Sequence, residues 1–161
     1  MVRRASISEL DSIMDIYAKA REFMRENGNP RQWANHPSRE LIQGYVEDGY
    51  LYVVEKEDGV LGVFAFLPGP DEAYVRIDGA WLDDAPYWVI HAVASTFRSH
   101  GLFSIICDWV FQRVKNVRID TSPDNKPMLR GFEKQGFTRC GIVHVAEDPE
   151  LTLIAYQRHD R

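Results

Sequence analysis

Cysteine is scarce in this chain of 161 residues: there are two, Cys107 and Cys140. Neither belongs to a CxxC or Cys/His spacing, which argues against a zinc site and against a disulfide framework. Both stand in apolar surroundings and read as small core residues. Long hydrophobic runs are missing too. Nothing approaches the roughly 18–20 apolar residues of a membrane span, and the opening "MVRRASISEL" has no apolar core of a signal peptide. The expectation is a cytoplasmic protein with no membrane partner. An excess of positive charge is also absent: 19 Lys and Arg stand against 24 Asp and Glu, a formal net charge of −5. Without a basic face to displace counterions, nucleic acid is not an expected partner. A small anionic ligand held by local donors remains open. No repeat, low-complexity tract or linker interrupts the chain.

Hydrophobic residues make up 45% and charged residues 27%, which fits a folded globular chain. The length suits one domain, residues 1–161, with a full core. Ser6 and Glu9 match a capping box opening the first helix, along which Leu10, Ile13, Met14, Tyr17 and Met24 form the apolar stripe. "ENGNP" stops it. A second helix opens after Ser38 and ends by Gly49. Two β-rich runs then flank Asp58-Gly59, a hairpin signal. "AYVRIDGAWL" reads as an extended piece, and "YWVIHAVA" as a strand buried on both faces. Leu102, Ile105, Ile106, Trp109 and Val110 make a helix face. "NVRID" is a short strand. Pro127 and Gly136 bracket a last helix. "FTRCGIVHVA" and "LTLIAYQR" are terminal strands around an acidic loop. The order β-α-α-β-β-β-α-β-α-β-β describes a mixed α/β sheet with interleaved helices.

Arg98-Ser99-His100-Gly101-Leu102-Phe103 sits between strand and helix, where unpaired N–H groups and the macrodipole favour an anion such as pyrophosphate. Taken alone, it reads as an ordinary turn. Downstream, Asn125 follows a short strand, a short helix comes next, and Gly136-Phe137 opens the following strand. Together, Arg98-x-x-Gly101 and the Asn125 to Phe137 segment resemble the GNAT acetyltransferase superfamily over most of the chain.

That resemblance implies a mixed, mostly antiparallel sheet, split between its fourth and fifth strands and flanked by about four helices. Acetyl-CoA is the implied cosubstrate, with no metal. Ala92, Val93 and Ala94 would pair with the pantetheine arm. Arg98, Ser99, His100, Gly101, Leu102 and Phe103 would hold the pyrophosphate. Asn125 would reach the pantetheine, with Met128 lining the same channel. Two positions depart from the family pattern: Phe103 replaces the usual Gly/Ala, and Phe132 replaces a tyrosine placed to protonate the departing thiolate. A thiolate is a tolerable leaving group without a dedicated acid, because thiols ionise near ~8.5.

The implied reaction is direct acetyl transfer to an amine of a small molecule or an exposed amino group. The alternative is a noncatalytic CoA-binding or ligand-sensing protein on the same scaffold, with a homodimer as one option; an acyl chain longer than acetyl is a third. His91 is a candidate base, by strand alternation on one face with Tyr87, Val89 and Val93, or else a core histidine. Asp78, Asp83 and Asp84 are candidates to draw a proton through water, or solvated loop residues. Tyr156 is a candidate to serve the sulfur, or core packing. Trp33, Tyr74 and Trp81 are candidates for the acceptor pocket, or core filling. Acidic residues near the expected mouth hint at a cationic amine.

Overall fold

The computed structural model describes residues 1–26, 37–96, 101–145 and 148–161. Its elements begin with strand β1 (Val2–Arg4), followed by a 3-10 turn at Ile7–Glu9. The Glu9 carboxylate returns to the Ser6 N–H at 3.0 Å, as a capping box requires. Helix α1 (Leu10–Glu26) continues from that turn and buries Leu10, Ile13 and Tyr17. Helix α2 (Arg39–Glu47) is capped by Ser38, whose hydroxyl accepts the Leu41 N–H at 3.1 Å. Strands β2 (Leu51–Lys56) and β3 (Gly59–Pro68) form the expected hairpin, and Lys56 pairs with Gly59. The two turn residues are therefore Glu57 and Asp58, with Gly59 opening the return strand.

The extended piece expected over "AYVRIDGAWL" is shorter than its composition suggested. A 3-10 turn takes Glu72–Tyr74, and only β4 (Asp78–Gly79) is strand. Strand β5 (Trp88–Ser95), helix α3 (Leu102–Phe111), strand β6 (Asn116–Thr121), helix α4 (Lys126–Lys134) and strands β7 (Thr138–Val145) and β8 (Asp148–His159) complete the chain. Helix α4 has Pro127 in its first turn and Gly136 at φ 83° just past its end. The eight strands hydrogen-bond in the order β1-β2-β3-β5-β6-β8-β7-β4, mostly antiparallel. The fold is the mixed α/β class expected. The strands expected as fourth and fifth are β5 and β6, because the two-residue β4 takes a number.

The chain divides into two compact units. One comprises Met1–Phe66 and His91–Ile106; the other comprises Leu67–Ile90 and Cys107–Arg161. In the first, α1 and α2 accompany the β1-β2-β3 ladder, with Val53, Val54, Val63, Phe64 and Ala65 all buried. Gly62 is where β3 admits close neighbours. A Cβ there would stand 2.5 Å from Leu102 Cδ2 and 2.6 Å from the Ala94 carbonyl. In the second unit, β6 pairs with β8 in unbroken register, and β7 and the β4 bridge extend the ladder. One face packs Tyr74, Val89, Val143, Leu153 and Ala155 together. The other carries α4 through Phe132, whose ring lies 5.1 Å from that of Tyr156. Cys107 is buried in this unit, and burial pushes its thiol up to about 12. Cys140 is half-buried, and both cysteines are free thiols.

Candidate active site

Strand β5 is kinked at Ala92, whose φ is 53°. Among the described residues it is the one non-glycine at positive φ, a conformation that costs an L-residue roughly 1–2 kcal/mol. Its carbonyl accepts the Tyr17 hydroxyl at 2.7 Å. Tyr17 is fully buried, and burial pushes its phenol well above the usual range, so the group stays a donor. A strand carbonyl satisfied by a side chain marks a break in the ladder. The shared face expected for Tyr87, Val89, His91 and Val93 assumes unbroken alternation, which the Ala92 kink does not allow past His91. His91, Ala92 and Val93 are half-buried, while Ala94 is buried.

Beyond the kink, the Thr96 N–H donates to the Leu61 carbonyl at 2.9 Å, and the Thr96 hydroxyl reaches the Val60 and Leu61 carbonyls at 3.1 and 3.2 Å. Strand β5 is thus pinned to β3 immediately before the turn. Arg98, Ser99 and His100 lie outside the described residues, as does Trp33. The turn is described again from Gly101, at φ 81° with open space around it. The Gly101 carbonyl accepts the Ile105 N–H at 3.1 Å, so Gly101 directly precedes the first turn of α3. Leu102 turns inward, 6% exposed, whereas Phe103 is half-buried. The residue that closes this helix start onto the core is therefore Leu102.

In the second unit, Asn125 caps α4. Its Oδ1 accepts the Met128 N–H at 3.4 Å and its Nδ2 donates to Thr121 Oγ1 at 3.2 Å. A primary amide has two N–H donors, so one remains to donate elsewhere. Met128 is half-buried beside it. Phe132 is fully buried against Phe137 and Tyr156. Phe132, where the resemblance implied a tyrosine, is here a core residue.

The register of β6 with β8 sorts the remaining candidates. Ile119 faces Tyr156, while Arg118 faces Gln157 and Asp120 faces Ala155. Alternation sends Ile119 and Tyr156 toward α4 and sends Arg118 and Asp120 to the opposite face. Tyr156 gives its hydroxyl to Glu133 Oε1 at 3.4 Å, and burial, then Glu133, raises its phenol. Tyr74 and Trp81 belong to the other face, so Tyr156 does not share a site with them.

Tyr74 is 1% exposed and its ring is core; its hydroxyl donates to Asp120 Oδ2 at 2.5 Å. Trp81 donates its indole N–H to the Tyr74 carbonyl at 3.0 Å. Trp81 and Tyr87 also sandwich the Arg118 guanidinium, at 4.1 and 4.0 Å. Arg118 Nε is buried without a hydrogen-bond partner, and its terminal nitrogen donates to the Asp83 carbonyl at 2.8 Å.

Asp83 is a structural hub. Its carboxylate takes the Ala85 N–H at 3.1 Å, Asn116 Nδ2 at 3.3 Å and Gln157 Nε2 at 3.4 Å, and it pairs with the His159 ring. His159 holds the Asp83 carboxyl below the usual carboxylate range. Asp78 is exposed in the β4 bridge opposite Ile142, and Asp84 is exposed. Sequence reasoning passed over Asp120, Tyr17 and Arg118. The signal for two of them was present in "NVRID", where charges occupy alternate positions of an otherwise apolar strand. Among the described residues, no group of three or more His, Cys, Asp or Glu is arranged to hold a metal ion.

This strand–turn–helix followed by a capped α4 recurs in known proteins. The family model described as the acetyltransferase (GNAT) family matches residues 10–137. A Bacillus subtilis protein called the uncharacterized N-acetyltransferase YesJ is 24% identical over 149 residues, covering 85% of this chain and 81% of that one. A GNAT-family acetyltransferase structure from Streptococcus agalactiae superposes with a TM-score of 0.89 at 26% identity, covering 100% of this chain and 95% of the other. Another from Listeria monocytogenes shares the fold, with a TM-score of 0.73 at 19% identity, covering 99% of this chain and 94% of that one. With four-fifths of its length matched by the family model, the chain belongs to the acetyltransferase (GNAT) family.

Proposed function

We propose that the protein transfers the acetyl group of acetyl-CoA directly to an amine, on a small molecule or an exposed amino group. The observation that carries this reading is the Ala92 kink, held by the Tyr17 hydroxyl immediately ahead of a Gly101-led helix start. A strand bent out of its ladder offers backbone N–H and C=O groups to an extended amide-bearing chain, which is the chemistry of pantetheine. Ala92, Val93 and Ala94 would make those pairings. Gly101 and the first N–H groups of α3 suit a pyrophosphate, and Arg98, Ser99 and His100 are assigned to it from the sequence pattern. Asn125 retains one amide hydrogen for the pantetheine arm, with Met128 alongside.

Acetyl-CoA supplies an acyl group already activated as a thioester. The chain must supply a neutral amine, donors for the developing oxyanion, and exclusion of water. The Val93 N–H, next to the Ala92 kink, is our candidate oxyanion donor. In this reading the protein acts in the cytoplasm, with acetyl-CoA and an amine as its partners.

Saturating acetyl-CoA should raise the melting temperature, because a ligand at 100 times its Kd adds about 2.7 kcal/mol. A panel of alkylamines, polyamines, amino acids and peptides should then reveal thiol release. No thermal shift with folded protein refutes cosubstrate binding. A shift without turnover across the panel favours the noncatalytic reading, for which the buried Phe132 speaks.

A further inference from the structure

Resting on that reading, we infer that Asp120 is the catalytic carboxylate that receives the acceptor's ammonium group and removes its proton, and that Tyr74 positions it. Strand β6 sends Asn116, Arg118 and Asp120 to one face and Val117, Ile119 and Thr121 to the other. Of the three polar residues, Asn116 and Arg118 are each 5% exposed, whereas Asp120 is half-buried. It is the one that combines a carboxylate with access to solvent. It also sits next to the last residue of its strand, ahead of the turn over residues 122–125 that opens α4.

The contact that fixes Asp120 is short. At 2.5 Å the Tyr74 hydroxyl lies in the range of a charge-assisted O–H···O⁻ bond. Tyr74 is a dependable donor, since burial first and the Asp120 charge second push its phenol well above the usual range. The Tyr74 ring is locked among Val89, Val143, Leu153 and Ala155. Its position is not adjustable, so neither is the carboxylate oxygen it holds. Arg118, two residues away on the same face, does not hold Asp120; it is sandwiched by Trp81 and Tyr87 and donates to the Asp83 carbonyl.

A buried tyrosine hydroxyl needs no carboxylate for its own sake, as the pairing of Tyr17 with a backbone carbonyl shows. Setting an ionised group at the edge of an apolar cluster costs desolvation, and that cost is repaid where the carboxylate works on a substrate. Of the other carboxylates on this unit, Asp83 has four partners, Asp71 accepts the Ala73 N–H at 2.9 Å, and Asp78 and Asp84 are exposed rather than set against the apolar cluster.

In the reaction, one ammonium proton passes to Asp120 and then to solvent. The freed nitrogen lone pair forms the C–N bond at the thioester carbon. The C–S bond breaks, and a second proton from nitrogen ends on the CoA sulfur. The amide and CoA thiol are the products, with one proton released.

The test measures thiol release from acetyl-CoA with wild type, Asp120→Asn, Tyr74→Phe and the double variant, alongside the thermal shift with acetyl-CoA. The expected loss in kcat for Asp120→Asn is about 10²–10⁴-fold, with the acetyl-CoA shift unchanged. Tyr74→Phe loses about tenfold, and the double variant is no worse than Asp120→Asn, because the pair acts as one unit. Formate should restore part of the activity of Asp120→Ala. The loss should also be larger for an alkylamine of pKa ~10.4 than for a peptide α-amine of pKa ~8, which is already partly neutral.

Folded Asp120→Asn with kcat within threefold of wild type overturns the inference, as do effects that multiply in the double variant. Should Asp120→Asn not fold, Tyr74→Phe decides: a kcat loss that falls more heavily on the alkylamine supports the assignment, and an equal loss on both amines overturns it. A wild type that turns over no amine removes the acetyltransferase reading and this assignment together.

Discussion

Gly62 and Ala92 are constrained in different ways, one by space and one by conformation. At Gly62 there is no room for a methyl group between Leu102 and the Ala94 carbonyl. Gly62→Ala should lower stability by about 1–3 kcal/mol, the usual cost of overpacking, as read by thermal melting. At Ala92 the demand is conformational. Ala92→Gly relieves the positive φ and should leave stability unchanged or raised by up to about 1 kcal/mol, with acetyl-CoA binding retained. Ala92→Val puts a β-branched residue where φ is 53° and should lose both stability and the acetyl-CoA thermal shift. Tyr17→Phe removes the hydroxyl that satisfies the Ala92 carbonyl. It should cost about 1–3 kcal/mol and should weaken acetyl-CoA binding if the kink serves it.

Among the elements, β1 is held to its neighbours by charge. The Arg3 guanidinium meets Glu9 at 2.8 Å and Glu55 at 2.9 Å, joining β1 to the first helical turn and to β2. Arg3 holds the Glu9 carboxyl down to about 2. A depressed carboxylate stabilises the fold above its ordinary range near 4.5, and that contribution is lost as pH falls toward about 2. Arg3→Met should therefore melt a few degrees below wild type at pH 6, and the gap should close on titrating from pH 4.5 toward 2. A gap independent of pH would assign the loss to packing instead.

Local rules were readable wherever a rule acts within a few residues. The Ser6–Glu9 box, the Ser38 cap and the Pro127 to Gly136 helix stand as read, and the β2–β3 hairpin does so with its turn one residue earlier, at Glu57 and Asp58. The 3-10 turn at Glu72–Tyr74 was not readable, because its one aromatic residue, Tyr74, serves a core built by distant strands. Neither was the Ala92 kink, whose partner Tyr17 lies 75 residues away. The candidate site divides the same way. Gly101 and Asn125 announce themselves by local pattern, while Tyr74 and Asp120 meet across 46 residues of chain. Asp83, read as a loop carboxylate, owes its partners to strands β6 and β8. Asp83→Ala should strand the buried side chains of Asn116 and Gln157 and lower stability by about 1–3 kcal/mol. The amides of Leu82 and Ala85 should lose hydrogen-exchange protection with it.

At the scale of the whole molecule, neither compact unit is one continuous stretch of chain. Residues 91–106 belong with the first 66, and the division falls inside β3, β5 and α3. Expressed separately, fragments 1–66 and 67–161 should each lack a cooperative melting transition, as followed by circular dichroism. A fragment that melts cooperatively alone would contradict this. The interleaving also bears on how such a protein can change over generations. A single recombination breakpoint near residue 66 exchanges no intact module; it pairs most of one unit with a foreign copy of its remaining strand and helix start. Inheritance should therefore treat this chain as one block.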